Sequence, residues 1–234
     1  MTAAGARNVS VVIPVLDEAA RIGVRLAELS VMGGIGEIIV VDGGSTDDTV
    51  AIAKAAHGTR VITASRGRGP QMNAGAQAAT GDVLLFQHAD VVLPADAVAW
   101  VGRALADPKV VAGAFQTRHV ADGESSWIVP LLWIADIRSR ATRLPYGDQA
   151  IFVRREAFFQ AGGFPDQPLM EDLELSRRLR RIGRMETVPA TVRVSGRRFL
   201  ARPFRTIASM RLFPALYRFG VPPRLLARLY GIAR

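Results

Sequence analysis

Carboxylates stand at the ends of three apolar segments in the first ninety residues, a spacing suited to holding a cation against phosphate. Val9–Val15 (VSVVIPV) runs into Asp17 and Glu18. Glu37–Val41 (EIIVV) runs into Asp42-Gly43-Gly44-Ser45-Thr46-Asp47, and Asp82–Phe86 (DVLLF) into Gln87-His88-Ala89-Asp90. Converging carboxylates repel one another unless a cation or hydrogen-bond donors lie among them. Asp90 can coordinate Mg²⁺ or Mn²⁺ together with a diphosphate, because hard cations often complete their shell with substrate oxygens. His88 stands beside it as a second metal donor, although a lone histidine near a strand is more often structural.

Three further clusters carry chemistry. Asp42 can accept from a base or ribose, Gly43 lets the backbone approach a ligand, and Ser45 offers a hydroxyl; a helix cap with turn glycines explains the same residues equally well. Ser65–Gly75 (SRGRGPQMNAG) is a glycine-rich basic loop entering a helix, whose amides and Arg66 and Arg68 can hold phosphate oxygens. It lacks the GKS/T ending of a Walker A loop. Met170-Glu171-Asp172-Leu173-Glu174 opens a helix, and one of its carboxylates can serve as a general base, with plain acidic capping as the alternative.

These groups need a scaffold that gathers strand ends. Each apolar segment is β-rich and followed by a helical pattern, which reads as βαβ units in a mostly parallel sheet flanked by helices. Ligands of such sheets bind outside the carboxyl ends of the strands. Strands are expected near residues 9–14, 37–42, 60–64, 82–86, 110–118, 148–153 and 187–193. Helices are expected near 18–31, 46–56, 70–79, 94–106, 155–161 and 171–182. Asp47 and Asp48 then fall in the first turn of the second helix, and Pro94 starts the fourth.

The chain has 234 residues, a net charge of +9 and no cysteine, so disulfides, zinc–thiolate sites and thiol nucleophiles are excluded. From Arg177 to Arg234 there are fifteen arginines and one acid, Glu186, which suggests an anionic partner such as nucleotide phosphate, anionic lipid or nucleic acid. The N-terminus lacks the pattern of an export signal, and Trp127–Ala135 is too short to span a bilayer. A cytoplasmic protein follows, soluble or peripheral at the inner face of the membrane. Residues 1–200 read as one α/β domain and 201–234 as a basic amphipathic helical tail. That tail packs on the domain, on a second subunit in a homodimer, or on an anionic membrane surface.

In order and spacing, these pieces resemble the family 2 glycosyltransferases of the GT-A (nucleotide-diphospho-sugar transferase) fold. The resemblance is carried by Val11–Glu18, Asp42–Asp47, Arg66–Gly69 with Asn73-Ala74-Gly75, His88-Ala89-Asp90, Gly147-Asp148-Gln149 and Glu171-Asp172. It is nearest to the bacterial arsenosugar-biosynthesis-associated subgroup, through Arg68–Asn73 and Tyr146–Gln149. It implies an inverting transfer of a sugar from a nucleotide-diphosphate donor to a small or lipid-linked acceptor, with a divalent metal. It implies that Pro14, Asp17, Glu18, Asp42, Arg68 and Asn73 hold the nucleotide, Asp90 the metal, and that Asp172, with Glu171, supplies the base. Gly147, Asp148, Gln149, Arg197 and Arg198 fall on the acceptor side. His88 stands where the metal motif usually has an acid, and Arg197-Arg198-Phe199 where many relatives carry Arg-Trp. Two other classes compete: a sugar-phosphate nucleotidyltransferase, disfavoured because its loop would follow the first strand, and a nucleic-acid-binding protein, disfavoured because no reader motif is present.

Overall fold

The computed structural model describes residues 8–120, 132, 136–137, 144–196 and 203–231. Strands β1 (Val9–Val15), β2 (Ile35–Asp42), β3 (Thr59–Thr63) and β4 (Val83–Phe86) alternate with helices α1 (Ala19–Ser30), α2 (Thr49–Ala55) and α3 (Arg68–Ala78). Then come β5 (Val91–Val92), α4 (Ala97–Ala104), β6 (Val110–Val120), β7 (Phe152–Arg154), α5 (Arg155–Gln160), α6 (Glu171–Ile182) and β8 (Arg184–Ser195). Two helices, α7 (Pro203–Arg218) and α8 (Pro223–Tyr230), follow.

The eight strands form one sheet in the order β3-β2-β1-β4-β7-β6-β8-β5. β3, β2, β1 and β4 are mutually parallel, as the βαβ reading requires. β7 inserts antiparallel between β4 and β6, and β5 pairs antiparallel with β8, so the whole sheet is mixed. Both faces are covered, which explains the near-continuous apolar runs. Val9, Val11, Ile13 and Val15 share a core with Ile22, Leu26 and Leu29 of α1. Val12, Ile39 and Val41 point the other way, into a core with Met72 of α3, Phe158 of α5 and Leu175 of α6.

Several boundaries differ from expectation for local reasons. Asp47 precedes α2, because its carboxylate accepts from the backbone N–H of Ala19 at 3.1 Å, from Thr49 N–H at 3.0 Å, and from the Thr49 hydroxyl. Pro94 sits in a turn before α4, its carbonyl accepting from Ala97 N–H at 2.9 Å. The strand expected over 148–153 is shorter and later. Gly147–Gln149 winds as a 3₁₀ turn, closed by Gln149 N–H on the Tyr146 carbonyl at 3.0 Å, and Ala150 takes a left-handed φ of 48° before β7 starts.

Candidate active site

The ends of β1 and β2 are locked to each other. Asp17, at φ 53°, accepts from Thr46 N–H at 2.8 Å and from the Thr46 hydroxyl at 3.2 Å, while its own N–H donates to Ser45 Oγ at 3.0 Å. Glu18 N–H donates to Thr49 Oγ1 at 2.8 Å. Asp42 is buried, and its two oxygens accept from the amides of Gly44 and Ser45 at 3.0 Å each. The Thr49 hydroxyl, opposed by desolvation and helped by backbone amides, holds Asp47 below the usual carboxylate range. The expected crowding of all three acidic ends is therefore corrected: at the first two, backbone amides and hydroxyls take up the negative charge.

Gln71 ties this edge to the basic loop. It is buried, and its amide donates to the carbonyls of Val15 and Val41 at 2.8 Å each, while its Oε1 accepts from Gly67 N–H at 3.4 Å. Nothing in the sequence pattern distinguished this glutamine from an ordinary first-turn polar residue. Asn73, expected at the nucleotide, is committed elsewhere. Its Nδ2 donates to the Phe164 carbonyl at 2.8 Å and its Oδ1 accepts from Phe164 N–H at 2.9 Å. It braces α3 against the turn before α6, a pairing across 91 residues of sequence. Arg66 is exposed at the loop's outer edge. Arg68, one position into α3, turns inward, with its guanidinium 3.8 Å from buried Glu171. Burial opposes its charge, but Glu171, Asp172 and Asp90 together raise its pKa above the ordinary value.

The third strand end is also clamped. Buried Gln87 donates to the Val91 carbonyl at 2.8 Å, Val91 N–H returns to His88 at 3.0 Å, and Ser195 N–H donates to the Asp90 carbonyl at 3.1 Å. Asp90 is half-buried, within electrostatic reach of both Arg68 and Arg25. Among the described residues no three His, Asp or Glu side chains form a ready-made metal cage. That donor set fits a cation that takes one carboxylate from the protein and the rest from substrate phosphate and water, as Mg²⁺ and Mn²⁺ do.

Asp172 opens α6. Its Oδ2 accepts from Gly147 N–H at 2.6 Å and its Oδ1 from Leu173 N–H at 2.7 Å. Burial raises its carboxyl pKa and Asp148 adds to this, against the pull of those amides and of Arg68. A carboxylate so placed is a better proton acceptor than an exposed aspartate. Gln149, expected on the acceptor side, is fully buried; it bonds the Phe115 carbonyl at 2.9 Å and Tyr146 N–H at 3.1 Å, and so shapes the turn. Arg197 and Arg198 lie outside the described residues.

Arg68, His88, Asp90, Asp148 and Asp172 line one cleft of about 150 Å³. Sequence reading missed its next neighbours. His119, near the end of β6, places Nε2 3.8 Å from Asp148, and its Nδ1 is 2.7 Å from Asp136. Tyr146 and residues of α7 and α8 complete the lining. The cleft thus sets a cation-competent carboxylate, a guanidinium and a half-buried carboxylate around one small space, an arrangement able to bind a diphosphate and accept a proton beside it.

The chain is similar in sequence and fold to several glycosyltransferases. Over 99 residues the chain is 37% identical to glucosyl-3-phosphoglycerate synthase of Mycolicibacterium paratuberculosis, a match covering 38% of this chain and only 30% of that relative. A mannosyltransferase from Pyrobaculum calidifontis, solved with GDP-Man and Mn²⁺, superposes with a TM-score of 0.68 at 22% identity, over 96% of this chain and 68% of that one, and so shares the fold. Glucosyl-3-phosphoglycerate synthase from Mycobacterium tuberculosis, solved with Mn²⁺, UDP and glucosyl-3-phosphoglycerate, superposes with a TM-score of 0.56 at 26% identity, over 81% of this chain and 70% of that one. The profile of glycosyl transferase family 2 matches residues 10–164, well over half of the sequence, and the chain belongs to that family.

Proposed function

We propose that the protein is an inverting glycosyltransferase that moves a sugar from a nucleotide-diphosphate donor to a hydroxyl-bearing acceptor. The observation that carries this reading is that Asp172 and Asp90 line one cleft, with Arg68 within electrostatic reach of both. The nucleotide lies over the edge built from Pro14, Asp17, Glu18, Asp42, Gly43 and Ser45. Asp172 takes the proton from the acceptor hydroxyl, and the freed oxygen attacks the anomeric carbon from the face opposite the diphosphate. Arg68, held by Glu171, lies where it can stabilise charge developing on the departing diphosphate. Asp90, with His88 beside it, would hold a divalent cation, which supplies Lewis-acid neutralisation of that charge. Gly147 and Asp148 border the acceptor side.

The acceptor is a small-molecule or lipid-linked alcohol, the former in keeping with the glucosyl-3-phosphoglycerate synthases among its relatives. The test is nucleotide release from UDP-glucose and GDP-mannose with Mn²⁺ or Mg²⁺, with and without acceptor panels. Acceptor-dependent release supports the reading; pyrophosphate release from a nucleoside triphosphate and a sugar phosphate would replace it by nucleotidyl transfer.

The tail supports a second proposal, peripheral attachment to an anionic membrane. Leu212, Phe219, Leu225 and Leu229 are exposed, alongside exposed Arg211, Arg218, Arg224 and Arg228. Such a surface gains from apolar insertion and from anionic headgroups. No helix among the described residues is long and apolar enough to cross a membrane. Co-sedimentation with phosphatidylserine vesicles but not phosphatidylcholine vesicles is the expected result. No sedimentation together with a dimer in solution would assign the face to a second subunit.

A further inference from the structure

The cleft that holds Asp172 has a second wall of opposite character. α7 turns Thr206, Ser209, Met210, Phe213 and Pro214 toward it, positions spaced i, i+3, i+4, i+7 and i+8, a single helical face. Tyr230 of α8 joins them, its ring centroid 6.0 Å from that of Phe213 at an interplanar angle of 66°. Phe213 is buried in a small core with Leu169, Leu226 and Ala227, so the wall is braced from behind. Leu169 and Met170 immediately precede Glu171 and Asp172, which places this wall against the very turn that presents the carboxylate.

Pro214 sharpens the point. A proline inside a helix forfeits a backbone hydrogen bond and crowds the preceding turn. It has no N–H to give the carbonyl of Met210, four residues back, and both residues line the cleft. The helix thus carries its proline on the face turned toward the candidate active site.

We infer that this face of α7, with Tyr230, is the acceptor-selecting wall, and that it takes an alcohol carrying a compact apolar group next to its nucleophilic hydroxyl. The inference rests on the proposed glycosyl transfer and names its acceptor class. A donor diphosphate belongs at Asp90 and Arg68, and the attacking hydroxyl belongs at Asp172. What remains of the acceptor then falls on Met210, Phe213 and Tyr230. The whole cleft, donor part included, is only about 150 Å³, so the group that meets this wall must be compact. Burying an apolar group against Met210, Phe213 and Pro214 is favourable, whereas a wholly polar acceptor would lose hydration there with fewer hydrogen-bonding groups to replace it.

Phenyl β-D-glucoside, D-glucose and 3-phosphoglycerate are the probes, their binding to the full chain measured by ligand-observed NMR without donor. The expected order places phenyl glucoside at least tenfold tighter than either of the others. Met210→Asn, on the half-buried part of the wall, and Phe213→Leu, which keeps the core filled, should each erode that preference several-fold, with circular dichroism confirming the fold. Equal binding of the three probes, tighter binding of 3-phosphoglycerate, no measurable binding of phenyl glucoside, or an undiminished preference in both variants would overturn the inference. UDP binding to the unaltered chain is measured separately. GDP binding is measured likewise, and the absence of both counts against glycosyl transfer itself, so the two failures are told apart.

Discussion

The backbone N–H of Gly147 donates to Oδ2 of Asp172 at 2.6 Å, joining the 3₁₀ turn before β7 to the first turn of α6. With Leu173 N–H on Oδ1 at 2.7 Å, the carboxylate is held in one orientation before any substrate arrives. Asp172→Asn should lower turnover by about 10²–10⁴ while nucleotide binding persists, the usual cost of losing a general base. Nucleotide release in the presence of a working acceptor measures it. Turnover within tenfold of the unaltered chain would move the base elsewhere.

The same carboxyl sets the acid limb of the pH–rate profile. Burial raises the Asp172 pKa, and only the ionised form accepts a proton. Activity should therefore fall as pH drops through a midpoint above the ~3.9 of an unperturbed aspartate. A profile flat down to pH ~4, with folding intact, would contradict this assignment.

Gln71 is expected to matter more for architecture than its polarity suggests. Its amide satisfies the Val15 and Val41 carbonyls together, at the edge where the nucleotide is proposed to lie. Gln71→Leu removes two buried hydrogen bonds, of which the Val15 carbonyl keeps a second donor in Gly43 N–H at 3.0 Å, and each lost bond costs about 0.5–1.5 kcal/mol. Thermal unfolding should show a clear loss of stability, and UDP affinity should weaken with it. Unchanged melting would mean that water replaces the side chain.

The order of βαβ units was legible because strands buried on both faces read as apolar runs, and Val9–Val15 needs little else to identify it. Asp90 and Asp172 were legible because acids after a strand or at a helix start stand out locally. The bracing bonds of Asn73 and Gln71 were not legible, because their partners, Phe164, Val15 and Val41, are remote in sequence. His119 escaped notice for a similar reason: its partners Asp136 and Asp148 come from segments with no periodic pattern. β5, two residues long, is too short to carry a pattern at all. Local spacing reveals which residues can do chemistry; long-range pairing decides which of them are free to do it.

Glu37 offers a test of pH-linked stability remote from the cleft. It accepts from Ser10 Oγ at 2.6 Å, Thr80 N–H at 2.6 Å, Thr80 Oγ1 at 2.8 Å and Gly81 N–H at 3.3 Å. Burial opposes its charge, but these bonds outweigh that and lower its pKa. The folded state thus binds its proton less readily than the unfolded chain. The stabilisation is complete above the unfolded value of ~4.3 and is lost as pH falls through the lower folded value. Glu37→Gln should cost stability at pH 7, and the difference from the unaltered chain should shrink on acidification below pH ~4. A difference independent of pH would assign its effect to packing alone.

The tail's inward face predicts coupling between α8 and the candidate base. Leu226 is fully buried with Leu169 and Phe213, and Tyr217 donates its hydroxyl to Glu174 of α6 at 3.3 Å. Met170, between Leu169 and Glu171, sits at φ 65°, an uncommon conformation that its surroundings must hold. Leu226→Ala removes apolar contact from behind that turn and should cost about 2–5 kcal/mol if its core unfolds with the sheet. Turnover should fall as the Asp172 turn loosens, with the nucleotide edge at Asp17 and Asp42 left intact and UDP affinity little changed. Exposed Leu229 serves as the contrast: Leu229→Ser should leave melting and turnover near the original values and weaken only vesicle binding. If Leu226→Ala melts like the unaltered chain and keeps its turnover, α8 is a detachable surface element rather than a support for the site.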